Sequence, residues 1–99
     1  MHVISLKKAQ RVLATASRRR GTLRRWYRIS KKAEWKNLAE TRSDFPHADL
    51  AGVCTVFNIK GNAYRLISKI YYPNKTVLDR IVLTHPEYDK GSWKYDCEC

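Results

Sequence analysis

Two cationic residues and two residues capable of proton transfer lie close together in the second half of the chain. Arg65 and Arg80 lie within apolar and β-branched segments, and His85 and Tyr88 follow soon after Arg80. A guanidinium stays charged, and its planar fork can contact two phosphate oxygens. An imidazole exchanges protons near neutral pH. These residue types suit anion binding combined with general acid or base catalysis.

The two arginines also have a structural interpretation. An arginine in the middle of a strand needs a partner or a ligand. Strict alternation places Arg80 on the opposite strand face from Asp79. Spacing alone leaves open whether the two arginines bind a ligand, are exposed strand residues, or pair with one of three carboxylates, Asp79, Glu87 and Asp89.

His85 and Tyr88 are open to similar alternatives. His85 precedes Pro86, so it is a candidate cap of the turn there as well as a candidate acid or base. Tyr88 lies three residues later and would share a face with His85 in a helical turn. Its ring could stack on a base, take part in proton transfer, or close a small core beneath the C-terminus.

The cysteines do not predict a metal site or a disulfide. Cys97 and Cys99 are too close for an ordinary disulfide, and the spacing of Cys97-Glu98-Cys99, even with Cys54 or His47, is not that of a zinc finger. We therefore expect exposed tail cysteines, no disulfide framework and a reducing compartment. We also expect no metal, because of this cysteine spacing. The glycines are isolated and make no phosphate-binding loop, so we expect no cofactor.

Charge is distributed unevenly along the 99 residues. Lys and Arg number 20 against 9 Asp and Glu, and the resulting net charge of +11 lies entirely within the first 43 residues. Stripes of a single sign indicate a polyanionic partner, of which nucleic acid is the commonest. A solvated surface, an anionic membrane surface or an acidic protein would account for the same charge.

The first half of the chain predicts two basic amphipathic helices. The first follows Ser5 as its N-cap, Gly21 interrupts the pattern, and Thr22 caps the second. Beyond Ala33 the faces blur, and Trp35 lies on the basic side. The second helix would present a set of cations: Arg24, Arg25, Arg28, Lys31, Lys32 and Lys36.

Three strands are predicted in the second half, after a turn over residues 44–49. They cover residues 53–59, 63–72 and 76–84, with turns at 60–62 and 73–75. With Val3 and Ile4 as a short edge strand, the order is β-α-α-β-β-β. We therefore expect one α+β domain over residues 1–99, with two N-terminal helices packed on a small, mainly antiparallel sheet.

No apolar stretch suggests a signal peptide or a membrane span, so a cytoplasmic location is expected.

Two C-terminal motifs resemble a known family. They are VFNIKGNAYRLI at residues 56–67 and RIVLTHPEYDK at residues 80–90. They closely resemble the HigB-type toxins of bacterial toxin-antitoxin systems, within the RelE-like superfamily, and shorter similarities extend over nearly the whole chain. Asp79 departs from this pattern, because the family usually has an apolar residue there, and its carboxylate could neutralise Arg80.

The resemblance implies a RelE-like fold and a ribosome-dependent endoribonuclease that cleaves translated messenger RNA. It also implies silencing by a cognate helix-turn-helix antitoxin. Metal-free cleavage needs a proton acceptor, a proton donor and cations around the phosphate. Arg65 assisted by Arg80 suits the cationic role, His85 suits general acid or base catalysis, and Tyr88 suits stacking or proton transfer.

Several lysines and the basic helix are candidate RNA contacts. The helix would hold ribosomal RNA, and further backbone contacts would come from Lys60, Lys69 and Lys90. Two other functions compete with the nuclease. One is a non-catalytic RNA-binding or ribosome-binding module, and the other is a chain that only binds its partner protein.

Overall fold

The computed structural model describes residues 1–5, 20–59 and 64–99. The helix expected after Ser5 and the turn expected at residues 60–62 lie outside them. The elements, in chain order, are β1 (His2–Ser5), α1 (Arg20–Lys32), α2 (Leu38–Asp44), β2 (Asp49–Ala51), β3 (Cys54–Ile59), β4 (Tyr64–Tyr71), β5 (Thr76–Thr84), α3 (His85–Lys90) and a C-terminal 3₁₀ helix (Ser92–Cys97). The predicted α+β class is confirmed, but the element order is longer than predicted.

The five strands form one mixed sheet in the order β1-β5-β4-β3-β2. The three predicted strands are confirmed as β3, β4 and β5, which are antiparallel neighbours. The predicted edge strand is also confirmed, and β1 pairs with β5 in parallel. The second predicted turn is present, with the Lys75 amide donating to the Tyr72 carbonyl at 3.1 Å. Strand β2 is not predicted from the sequence, because three residues are too short for a periodic pattern.

The helices differ from the prediction at both ends of α1. Gly21 and Thr22 lie inside this helix, so the predicted break is wrong, since a single helical glycine costs only about 1 kcal/mol. The helix ends at Lys32, which removes Trp35 from the basic face. Trp35 is buried instead, and its indole donates to Asp44 at 2.8 Å.

A second short helix, α2, begins at an N-cap that is not predicted from the sequence. The Asn37 side chain accepts a hydrogen bond from the Glu40 amide at 2.9 Å, which satisfies a free donor of the first turn. Phe45 follows the helix and packs against Trp26 and Phe57. The expected turn therefore joins α2 to the sheet.

Apolar residues cover both faces of the sheet. Tyr64 and Leu66 face the larger cluster beneath α1, which includes Trp26. Ile67 faces the opposite side. The smaller cluster there contains Cys54, Val56, Ile67, Leu83, Trp93 and Cys97, with Tyr88 packed against it. We call it the second-face cluster.

The expectation of free cysteines is wrong for two of the three. Cys54 and Cys97 form a disulfide in the second-face cluster, with their Cα atoms 5.3 Å apart, and both are fully buried. Cys99 is the free, exposed cysteine. The pairing depends on the contact between the 3₁₀ helix and β3, which a separation of 43 residues does not reveal.

A β-bulge changes the alternation of β5. Ser68 pairs with Asp79 and Ile67 pairs with Ile81, so Arg80 is an extra residue without an opposite partner. Val77 and Val82 consequently share the larger cluster, although they are an odd number of positions apart and strict alternation would place them on opposite faces. The strict alternation predicted around Arg80 is therefore wrong.

Asp79 is a buried acid that hydroxyl groups hold in place. It accepts hydrogen bonds from Ser68 at 3.0 Å and from Ser5 at 3.1 Å. Burial raises its pKa to about 7, although both hydrogen bonds act in the opposite direction. Its hydrogen bonds join three strands, β1, β4 and β5. The described ion pairs connect Arg80 to a different carboxylate, so the suggested neutralisation by Asp79 is not observed.

Candidate active site

Arg65 is a buried cation near the start of β4. Only 9% of the residue is exposed, and it lies opposite Leu83 on β5. Its Nη1 donates to the Tyr64 carbonyl at 3.3 Å, and its guanidinium carbon lies 5.1 Å from the centre of the Tyr88 ring. The alternative of an exposed strand residue is therefore wrong for Arg65. A preorganised guanidinium in this position can bind a phosphate without first having to be ordered.

Tyr88 connects Arg65 to the second-face cluster. Its ring stacks on Trp93 with centroids 4.9 Å apart and planes 11° apart. The Trp93 indole also donates to the Tyr88 carbonyl at 2.9 Å. Tyr88 thus closes the small core beneath the C-terminus, which confirms the structural role considered for it. It also contacts Arg65, the predicted phosphate-binding cation. Trp93 is not predicted as part of the site, although an aromatic residue just beyond a short helix was a possible signal.

His85 begins α3 and is paired with a carboxylate. Its Nδ1 lies 2.9 Å from an Asp89 carboxylate oxygen, one helical turn away, and about half of the His85 side chain is exposed. This contact favours a proton on Nδ1, which leaves Nε2 available for proton transfer. From the sequence, Asp89 is a candidate partner only for arginine. The i,i+4 spacing was the signal for the pair with His85.

His85 is not the cap of this turn, because Thr84 performs that role. The Glu87 carboxylate accepts hydrogen bonds from the Thr84 hydroxyl at 2.8 Å and amide at 3.1 Å. These hydrogen bonds, the one from the Thr84 side chain first, lower the pKa of Glu87. Together with the reciprocal contact to the Glu87 amide they form a capping box. The capping role considered for His85 is therefore wrong, and its ring is available for other contacts.

Strand register brings three of the four predicted catalytic residues to one end of the sheet. Tyr64 pairs with Thr84, and Arg65 pairs with Leu83, so β4 starts where β5 passes into α3. Arg65 therefore lies at the strand level just before His85 and directly beside Tyr88.

Arg80 lies elsewhere on β5. It is three residues before Leu83, which corresponds to about 10 Å along a strand. Its Nη2 is 4.0 Å from a carboxylate oxygen of Asp96, in the 3₁₀ helix. Arg80 thus connects β5 to the C-terminal segment. Its carboxylate partner is Asp96, and not one of the three candidates suggested by the sequence, Asp79, Glu87 and Asp89.

A basic surface lies on α1, across the sheet from Arg65. Of the cations predicted for this helix, Arg24, Arg25, Arg28, Lys31 and Lys32 lie on α1 and are exposed, whereas the placement of Lys36 is wrong because the helix ends at Lys32. An open hollow of about 390 Å³ is lined by Arg24, Tyr27, Arg28, Lys31 and Lys32. The Lys31 ammonium lies 5.7 Å from the centre of the Tyr27 ring. Since α1 packs on the larger cluster and α3 on the second-face cluster, the basic surface is separate from the candidate active site.

The remaining predicted RNA contacts are scattered. Lys69 is half-buried on β4, and Lys90 is exposed at the end of α3. Lys60 lies outside the described residues. None of the groups of His, Cys, Asp and Glu among residues 1–5, 20–59 and 64–99 has an arrangement that could hold a metal ion. Within the same ranges, no helix is both long and apolar enough to cross a membrane.

Comparison with known proteins assigns the family. A family model described as the RelE-like toxic component of a toxin-antitoxin system matches residues 19–91. The match includes α1 and both C-terminal motifs, and thus Arg65, Arg80, His85 and Tyr88. No curated protein matches the chain. Because the family model covers most of the sequence, the chain belongs to the HigB family of RelE-like toxins.

Proposed function

We propose that this toxin is a ribosome-dependent, metal-independent endoribonuclease that cleaves translated messenger RNA and thereby inhibits translation. The observation that carries the proposal is the grouping of a buried guanidinium, an aromatic ring and a carboxylate-paired histidine at one end of the sheet. Arg65 contacts Tyr88, and His85 is paired with Asp89 in the same helix. These groups suit transfer of a phosphoryl group within RNA.

The proposed reaction is attack of a ribose 2′-hydroxyl on the neighbouring phosphorus. The O2′–P bond forms and the P–O5′ bond breaks, which leaves a 2′,3′-cyclic phosphate and a free 5′-hydroxyl. Arg65 would neutralise charge that develops on the phosphate oxygens. His85 would carry one of the two proton transfers through Nε2, with Asp89 orienting its ring. The exposed part of Tyr88 would contact a base or take part in proton transfer.

Binding to the ribosome is proposed for the basic surface on α1. A surface of one sign binds phosphates through counterion release, without reading sequence. Because this surface is separated from Arg65 by the sheet, it would hold ribosomal RNA while the other face meets the messenger. Arg80, Lys60, Lys69 and Lys90 are proposed as supporting RNA contacts. The ribosome as partner would place this activity in the cytoplasm.

As a toxin of a toxin-antitoxin system, the chain has an antitoxin as its partner. We propose that this antitoxin has a helix-turn-helix fold. Two alternatives to the nuclease remain as outcomes of one experiment. They are a non-catalytic RNA-binding module, which the basic surface on α1 favours, and a chain that only binds its antitoxin.

The test is to incubate the purified toxin with translating ribosomes and to map the ends of the message. Cuts at defined codon positions, with cyclic phosphate ends, support the nuclease. Pelleting with ribosomes but without cuts supports the module, and neither cuts nor pelleting supports the chain that only binds its antitoxin. The matched inactive control is Arg65→Gln, which removes the charge but keeps most of the side-chain volume.

A further inference from the structure

The C-terminal 3₁₀ helix is attached to the sheet by a covalent bond and a hydrogen bond. The disulfide joins its last residue, Cys97, to the first residue of β3, Cys54. The Val53 amide also donates to the Cys97 carbonyl at 2.8 Å. Both sulfur atoms belong to fully buried residues. Trp93 and Cys97 also pack in the second-face cluster, and Asp96 pairs with Arg80, so the disulfide adds a covalent link to several noncovalent contacts.

Trp93 connects the 3₁₀ helix to Tyr88. It lies four residues before Cys97 in the same helix, and only 6% of it is exposed. Stacking restricts the orientation of the Tyr88 ring, and the indole hydrogen bond fixes the Tyr88 backbone. The Tyr88 ring in turn lies against the guanidinium of Arg65.

We propose that Trp93 is a positioning residue for Arg65 and Tyr88, and that its own position depends on an intact Cys54–Cys97 disulfide. The inference rests on the proposed nuclease function where it concerns cleavage. With the disulfide present, the Tyr88 ring is held against Arg65. With it reduced, the 3₁₀ helix separates more readily from the sheet, and cleavage falls.

The redox step is thiol–disulfide exchange with a dithiol. A thiolate of the dithiol attacks one sulfur, the Cys54–Cys97 bond breaks, and a mixed disulfide forms. The second thiol of the dithiol displaces the remaining protein sulfur, so two electrons and two protons end on Cys54 and Cys97 while the dithiol becomes a cyclic disulfide. Since both cysteines are buried, exchange requires the 3₁₀ helix to open first. Cys99 is exposed and is replaced in the test by Cys99→Ser, so that it cannot form a different pair.

The experiment compares oxidised and dithiothreitol-reduced toxin, both carrying Cys99→Ser, in the assay with translating ribosomes. We expect reduction to lower cleavage about 10-fold or more, because a small misplacement of positioned groups is costly. The variant Cys54→Ala/Cys97→Ala/Cys99→Ser should cleave like the reduced protein and should not respond to dithiothreitol. Equal cleavage by oxidised, reduced and disulfide-free protein would overturn the proposed role of the disulfide.

The positioning role of Trp93 is tested by two substitutions of this residue and by one control substitution in the same helix. Trp93→Ala should lower cleavage about 10- to 100-fold, whereas Trp93→Phe, which keeps a ring against Tyr88, should restore most of it. Tyr95→Ala is the matched control, since Tyr95 lies in the same 3₁₀ helix and is 90% exposed. Far-UV circular dichroism checks folding of each variant. A folded Trp93→Ala protein with full cleavage would contradict the positioning role.

A second readout separates this inference from the proposed nuclease function. The Nε–H resonance of Arg65, assigned by its loss in Arg65→Gln, should carry a ring-current shift from Tyr88. We expect Trp93→Ala and reduction to diminish this shift, and Tyr95→Ala to leave it unchanged. If the oxidised toxin does not cleave messages, the nuclease proposal fails, and the Arg65 resonance still tests the positioning. An unchanged resonance in both Trp93→Ala and the reduced protein would overturn it.

Discussion

The guanidinium carbon of Arg65 lies 5.1 Å from the centre of the Tyr88 ring, although the two residues belong to different elements of the fold. Arg65 is on β4 and Tyr88 is on α3, so the contact depends on how β5 leads into that helix. A cation on an aromatic face is stabilised by about 0.5–2 kcal/mol, depending on its exposure to water. The contact with Tyr88 orders the Arg65 guanidinium, so that an RNA phosphate could bind it without a further rearrangement.

Arg65→Gln should lower messenger cleavage by about 10²- to 10³-fold, because it removes one preorganised charge from the proposed transition state. Ribosome pelleting should remain unchanged, since the basic surface on α1 is on the other side of the sheet. Message-end mapping measures the first effect and sedimentation the second. Tyr71→Ala, at an exposed position on the same strand, is the control. A folded Arg65→Gln protein with normal cleavage would exclude Arg65 from the reaction.

His85→Gln should lower cleavage by about 10²- to 10⁴-fold, the usual contribution of a positioned acid or base. Asp89→Asn keeps the size of the residue but weakens the 2.9 Å contact to Nδ1, so we expect a smaller loss, about 10-fold or more. Single-turnover rates on stalled ribosomes measure both. The control His47→Gln changes an exposed histidine in the turn after α2. Normal rates in His85→Gln would assign both proton transfers to other groups.

Ribosome binding should fall steeply with salt. If the basic surface neutralises about six phosphates, affinity should drop several hundredfold or more between about 50 and 200 mM salt. Arg24→Gln/Arg28→Gln should reduce the slope of log affinity against log salt by about 1.4 to 1.8.

The matched control for this pair is Lys75→Gln/Lys94→Gln, which removes the same charge at two exposed positions outside α1. Co-sedimentation at several salt concentrations measures all three proteins. Identical slopes for the two double variants would show that net charge, rather than the surface on α1, determines binding.

Stability should decrease as pH rises from about 4 to 7 because of Asp79. Its pKa is about 7 in the folded protein and near 3.8 in an unfolded chain, so across this window the folded state binds more protons than the unfolded state. The free energy of unfolding then falls with pH, by on the order of 4 kcal/mol in all, and levels off above pH 7. Urea unfolding at several pH values measures this dependence.

Asp79→Asn should remove most of the pH dependence and should stabilise the fold above pH 7. The amide cannot ionise, yet it still offers an acceptor and a donor to the hydroxyl groups of Ser5 and Ser68. Asp49→Asn, an exposed carboxylate on β2, is the control. The same slope in Asp79→Asn and in the wild type would assign the pH dependence to other groups.

Much of the candidate site was predictable because its members are close in sequence or carry distinctive chemistry. The sequence predicts Arg65, His85 and Tyr88 as site residues, and the period of two in their apolar residues predicts strands β4 and β5. The partners of these residues were not identified. Asp89 was considered for arginine rather than for His85, and Trp93 was not considered, because a contact between side chains depends on the register of β4 with β5 and on the path of the chain after Gly91.

The sequence by itself determined the α+β class, the three antiparallel strands with a short edge strand, and the basic character of α1. These properties follow from the local periodicity and charge of consecutive residues. Only the tertiary structure decided the bulge at Arg80, the Cys54–Cys97 disulfide and the contacts that join Trp93, Tyr88 and Arg65. Each of these requires two distant segments to meet at one position, which depends on packing of the whole sheet rather than on any local pattern.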